Sequence, residues 1–214
     1  MRFVDHLTDR WRTLIELAGE HAALAALAVV LATVVALLLA IPARRRPWAA
    51  SACVAAGGTL LLVPSLATLG LLALVIDRGE LAALVAVALC AAGPVLRGAV
   101  TGLRSVDPVT LEAAAGAGMS PGRRLARVEL PLAWPAILAG LRVATAIALG
   151  IGATAAVIDG PGLGEEILLG LSRAGQDDAL EVALGGALGV LVLGIIAEAA
   201  YALARRLTVS RGIR

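Results

Sequence analysis

Residues 112–131 read EAAAGAGMSPGRRLARVELP, a polar and basic segment set between strongly apolar ones. Asp107-Pro108 leads into it, an N-cap residue followed by a proline at the first helical position. The spacing predicts a short helix over Val109–Ala117, ended by Gly118 as a left-handed cap. Ser120-Pro121 repeats the start signal, and Arg123–Glu129 reads as a second short helix. Pro131 and Pro135 limit where the next long helix begins regularly. The product is two short helices joined by a bend between membrane spans, which is the form of a docking surface.

The flanks carry the membrane argument. Of 214 residues, 60% are hydrophobic, 16% charged and 2% aromatic, and the net charge is +2. Leucine- and glycine-rich runs almost free of charge approach or exceed the roughly 20 residues that span a bilayer. These features predict an all-α polytopic membrane protein. Cys53 and Cys90 fall in apolar runs without metal-ligand spacing and read as small buried side chains. The first twenty residues lack the basic start, apolar core and cleavage site of a signal peptide. Residues 1–20 instead read as an amphipathic segment through Phe3, Leu7, Trp11, Leu14 and Leu17. Two readings stand for it: a helix along the membrane surface, or a leader packed on the bundle.

The expected spans are about 21–41, 48–76, 81–101, 135–158 and 179–204, five in all. The second is long and is expected to kink or break at Val63-Pro64-Ser65, with Gly57-Gly58 as a further interruption; two very short spans are the rival count. Gly93-Pro94 is expected to bend the third span. Residues 159–166 read as a flexible acidic connection, followed by a brief helix over Ile167–Leu171. Arginines gather in one set of loops, at positions 44–46, 97, 104, 123, 124, 127, 142, 205 and 206. Acidic residues gather in the opposite set, at 77, 80, 159, 165, 166, 177 and 178. The arginine-rich side is expected to be cytoplasmic, with the N-terminus outside and the C-terminus and its basic tail, 205–214, inside. There is no phosphate-binding glycine loop with its lysine, no zinc-binding histidine pair and no aromatic-laced basic patch for nucleic acid. An enzyme is therefore disfavoured.

Glu112-Ala113-Ala114, Gly118, and Val128-x-Leu130-Pro131 resemble the cytoplasmic EAA loop of binding-protein-dependent ABC importer permeases, with valine where isoleucine is common. Val63–Ala67, Pro94–Arg97, Gly102–Pro108, Val128–Ile137 and Gly162–Gly164 are similar to the permeases for quaternary-ammonium osmoprotectants. The likeness covers about residues 20–205. It implies a MetI-like type I importer transmembrane domain over 21–204, with a cytoplasmic coupling loop at 107–131 in a bacterial cell membrane. It also implies partners: a cytoplasmic ATPase dimer that holds the ATP and magnesium, a second permease copy or paralogue, and an extracytoplasmic substrate-binding protein. No cofactor sits on this chain.

In that frame Glu112, Ala113, Ala114, Gly118, Leu130 and Pro131 are the ATPase-coupling residues. Glu112 reads either as a brace within the loop, the favoured reading, or as a partner for an ATPase donor. Arg123, Arg124 and Arg127 read equally as ATPase contacts or as solvated charges. Pro64, Ser65 and Pro94 are candidate pore or gating residues, because a broken helix offers backbone carbonyls to a cavity. Gly140, Gly185 and Gly189 are candidates for close helix packing. Glu198, within the fifth span, needs a partner, and Arg142 is the expected one. The implied cargo is glycine betaine, choline, carnitine or proline betaine. The alternatives are a permease of the same superfamily for methionine or another amino acid, and a channel or scaffold working without ATP.

Overall fold

The computed structural model describes residues 2–60 and 62–209, with side chains from residue 7 onward. The side chain of Phe3, and Arg211 and Arg214 of the tail, lie outside the described residues. All regular structure among the described residues is helical. In chain order it comprises α1 (Arg2–Ala43), α2 (Pro47–Leu60), α3 (Ser65–Val75), α4 (Gly79–Arg104), α5 (Pro108–Gly116), α6 (Pro121–Arg124), α7 (Leu130–Thr154), α8 (Gly164–Ser172) and α9 (Ala179–Thr208). A π-helical turn, Leu125–Glu129, joins α6 to α7, and a 3₁₀ turn, Ala155–Ile158, follows α7.

Among the described residues, four helical runs are long and apolar enough to cross a bilayer: Leu7–Ala43, Gly79–Arg104, Pro121–Ile158 and Ala179–Thr208. The pair α2 and α3 makes a fifth if counted as one span, bent by 92°. Pro64 is the N-cap of α3, and its carbonyl accepts from the Thr68 backbone N–H at 3.0 Å and from the Thr68 hydroxyl at 3.3 Å. The carbonyl of Pro64 is thus taken up by the first turn of α3. Gly57 and Gly58 do not interrupt α2; they lie inside it.

The expected division at residue 20 is absent, since α1 runs unbroken from Arg2 to Ala43. The reason is phase. Leu17, His21, Leu24, Ala28, Ala32, Ala36, Ala40 and Ala43 are buried at intervals of three and four, so one stripe faces the bundle from Leu17 onward, and Arg10 before it reaches the buried Glu166. This favours the packed reading of the leader over a helix lying on the surface. His21, fully buried, donates from Nε2 to the Leu149 carbonyl at 3.0 Å and ties α1 to α7.

The main core lies between α1, α4 and α7 and is built largely of alanine and valine. Small side chains bring the backbones close. A Cβ on Gly98 would stand 2.6 Å from the Ala136 oxygen, and one on Gly140 would stand 2.6 Å from the Pro94 oxygen. On the other flank Gly186 packs on Leu163, Glu166 and Ile167, and Gly189 on Leu163. Gly185 is buried, and a Cβ on its neighbour Gly186 would come within 2.8 Å of the Leu163 oxygen. The acidic connection differs from expectation as well. Helix α8 starts at Gly164, and Glu166 in its first turn is 2% exposed, held by Arg10 of α1 at 2.8 Å.

Candidate coupling site

The segment between α4 and α7 forms as its start and stop signals direct. Asp107 caps α5: its Oδ1 accepts from the Val109 N–H at 3.1 Å, and Pro108 occupies the first helical position. At the other end Gly118 N–H reaches Ala115 O at 2.9 Å and Met119 N–H reaches Ala114 O at 3.2 Å. With Gly118 at φ +80°, this is a Schellman closure. Ser120-Pro121 then opens α6 through the backbone, Arg124 N–H bonding to Ser120 O at 2.9 Å.

The second short helix does not end at Pro131. It continues through the π-helical turn into α7, with Leu130 N–H bonded to Leu125 O five residues back. A proline ring collides with the carbonyl four residues before it in a regular helix. Widening the turn opens the backbone at these residues and lets the helical run pass Pro131. Leu130 is half-buried against the main core and roots the loop there, while Pro131 is exposed.

The bend sets the candidate coupling residues Glu112, Ala113, Ala114 and Gly118 on α5 and its cap, apart from Leu130 and Pro131 in α7. Helix α5 packs on α6 and the π-helical turn. Ala114 is buried in that contact region, while Glu112, Ala113 and Gly118 are exposed. Glu112 has no hydrogen bond or ion pair among the described residues, so it does not brace the loop from within. Its carboxylate and the bare alanine face beside it stand free for another surface.

Sequence reading missed Glu129. It is 3% exposed in a polar segment, and it holds two arginines. Arg44 Nε, in the turn after α1, donates to one carboxylate oxygen at 2.6 Å; Arg124 Nε donates to the other at 3.4 Å. The Arg44 guanidinium also donates to the Ile41 carbonyl. A carboxylate between two guanidinium groups thus locks the base of the docking unit to the end of α1. The available signal was Glu129 itself, the single acid in an arginine-rich stretch. Of the three loop arginines, Arg124 turns inward to this pair, whereas Arg123 and Arg127 are exposed and unpaired among the described residues.

The remaining candidates are not gathered at one place. Pro94 lines a groove between α2, α4 and α7, but Pro64 and Ser65 do not line it. They sit at the α2–α3 bend. Arg142 and Glu198 are paired across α7 and α9, as expected. Two further ties join those helices: Thr145 and Tyr201 hydroxyls at 2.7 Å, and Trp134 Nε1 donating to Thr208 Oγ1 at 2.7 Å.

Residues 28–209 match the family described as binding-protein-dependent transport system inner membrane component. The chain belongs to this family. As such a component it is a polytopic transport subunit of an ABC importer and not itself catalytic. ATP hydrolysis resides in a partner subunit. It is 33% identical over 195 residues to the choline transport system permease protein OpuBB of Bacillus subtilis, covering 91% of this chain and 88% of that protein. It is 35% identical over 203 residues to the osmoprotectant import permease protein OsmW of Salmonella typhimurium, covering 92% and 93% respectively. A chain of the MetNI methionine ABC transporter, solved in an inward-facing conformation, superposes with a TM-score of 0.77 at 17% identity over 92% of this chain and 96% of that one. That likeness establishes the type I importer, MetI-like fold.

Proposed function

We propose that this chain is the membrane-spanning half of an ATP-driven importer for quaternary-ammonium osmoprotectants: glycine betaine, choline, carnitine or proline betaine. The projecting α5–Gly118–α6 unit carries the coupling half of this reading. Its exposed Glu112 and alanine face, capped at both ends and rooted through Leu130 and Glu129, fit a cleft on a cytoplasmic ATPase. Two copies, or this chain and a paralogue, pack about a two-fold axis with the pathway between them. Closure of the ATPase dimer draws the two docking units together and opens the pathway outward; hydrolysis resets it. A binding protein delivers cargo at the opposite end, where α8 and its acidic residues lie. This orientation puts the N-terminus outside and the C-terminus in the cytoplasm, in keeping with the arginine-rich side facing inward.

The cargo half of the reading is supported by identities of 33% and 35% to choline and osmoprotectant permeases across nine-tenths of the chain. The test is uptake into vesicles holding the assembled importer and its binding protein. Labelled glycine betaine, choline, carnitine, proline and methionine are offered with and without ATP. ATP-dependent uptake of a betaine or choline, abolished by Gly118→Trp, is the expected result. Uptake of methionine alone would keep the importer and overturn the cargo. An assembled complex with no ATP-dependent uptake would overturn both.

A further inference from the structure

The surface of the bundle has two kinds of face. Helices α1 and α9 expose long and branched aliphatics, such as Val34 and Leu38 on one and Leu191 and Ile195 on the other. Those faces suit lipid tails. Between α2, α4 and α7 the exposed residues are mainly small, Ala55 and Ala139 among them. Two adjoining grooves of about 650 and 480 Å³ run along this face and share Gly58, Arg97 and Thr101. Each is on the scale of a small-ligand cavity. Where α2 meets α4, Gly57 and Gly93 bring bare backbone together, a Cβ on Gly93 falling against the Gly57 oxygen.

Arg97 is the one charged residue shared by both grooves, and it is exposed there. It lies seven residues (104 − 97) before the end of α4 at Arg104, about 10 Å along the axis. It has no hydrogen bond or ion pair among the described residues. The sequence offers none at that depth either. No Asp or Glu occurs from His21 to Ile76, from Leu81 to Val106, or from Leu130 to Ile158, and only Glu198 occurs beyond Val182. Glu198 already pairs with Arg142. A second copy facing this groove would bring the same residues and hence no carboxylate. An ionisable side chain in a span is costly unless a cavity or a counter-charge receives it. Here the cavity is present and the protein supplies no counter-charge.

The geometry points to Arg97 as the residue that receives the carboxylate of the cargo on the translocation path. A guanidinium holds a carboxylate through two parallel N–H···O bonds, a fit that a point charge does not give. Thr101, one helical turn on, adds a hydroxyl to the same wall. The groove itself, about 480 Å³ and lined mainly by small residues, leaves room for a bulky ammonium head turned away from the arginine. This assignment rests on the osmoprotectant reading and narrows it: zwitterions bearing a carboxylate pass in preference to choline, a cation that has none and meets like charge.

The experiment compares maximal ATP-driven uptake of glycine betaine and choline by the complete importer, wild type and Arg97→Gln, at saturating binding protein. The preferences of the binding protein enter both equally and cancel in the ratio. The expected result is a fall of at least tenfold in the betaine-to-choline ratio, with choline uptake retained, which also shows that the variant is assembled. Arg97→Lys keeps the charge without the planar fork and is expected to lower the ratio severalfold less; it decides the matter should the glutamine variant not assemble. An unchanged ratio in the variant that assembles, or equal loss of both cargos, overturns the assignment. Wild-type uptake of methionine alone ends the osmoprotectant reading and this preference with it. Wild-type betaine uptake with an unchanged ratio in the variant ends only the role of Arg97.

Discussion

At Gly118 a single backbone angle sets the direction of the docking unit. With φ at +80° and nothing within 4 Å of a would-be Cβ, an alanine there meets no neighbour. Its cost is the left-handed backbone alone, about 1–2 kcal/mol. Gly118→Ala is expected to lower substrate-stimulated ATP hydrolysis of the assembled importer severalfold. Gly116→Ala, in equally open space but inside α5, is expected to leave it unchanged. Glu129 is a different case, because its loss strands a partner. The side chains of Arg44 and Glu129 are 9% and 4% exposed, and removing one member of a buried pair typically costs about 3–5 kcal/mol. Glu129→Gln should therefore lower the unfolding temperature of the purified permease, and Arg44→Met combined with Glu129→Met should recover part of the loss. The pair of Arg142 and Glu198 stands exposed on the bundle flank. Reversing it (Arg142→Glu with Glu198→Arg) is expected to restore the folded yield that either single change lowers, read by size-exclusion chromatography in detergent.

Among the helices, the α4–α7 crossing is tight from both sides. Gly98 and Gly140 each face a backbone carbonyl of the other helix at 2.6 Å from a would-be Cβ, and a backbone yields less readily than a side chain. Leucine at either position should cost at least the 1–3 kcal/mol usual for overpacking. It should also depress the detergent unfolding midpoint, while Gly150→Ala, in open space, leaves it in place. Capping and turn chemistry made α5 legible in sequence, because Asp107-Pro108 and Gly118 act through bonds within a few residues. Gly140 was legible as a small residue in a span, but its partner was not: Gly98 and Pro94 meet it only through tertiary packing. The continuity of α6 into α7 was hidden by Pro131, whose breaking effect is relieved by a widened turn that no local signal announces. The unbroken α1 was hidden by polarity, since residues 7–20 carry five charges and Leu17 alone among them is buried. Glu129 looked like one more polar residue in a polar loop, and its burial depends on Arg44, 85 residues earlier.

For the molecule as a whole, α1 is fastened near both of its ends, to the π-helical turn before α7 and to α8. Arg44 holds Glu129 just before α7, and Arg10 holds Glu166 at the start of α8. At 42 residues, α1 is about 63 Å long, a strut reaching from the docking unit to the far side of the bundle. A topology test follows from the proposed orientation, after replacement of Cys53 and Cys90 by alanine. Cysteine at Gly116 is expected to react with a membrane-impermeant maleimide only from the cytoplasmic side, and cysteine at Ser172 only from outside. Labelling of both from one side would refute the crossing of the membrane by the α6–α7 run that lies between them.

The Arg44–Glu129 contact also has a history in time. Arg44 leaves the ribosome 85 residues ahead of its partner, an interval of roughly 4–17 s at bacterial translation rates of about 5–20 residues per second. Throughout that interval the guanidinium is without its carboxylate, and in the proposed orientation it belongs with Arg45 and Arg46 to a cationic cluster that holds this end of the first span on the cytoplasmic side. Only once Glu129 emerges does one of the three leave this duty for a structural one. In the proposed orientation the same side chain first helps to set which way round the nascent chain is threaded, and later seals the base of the proposed docking unit.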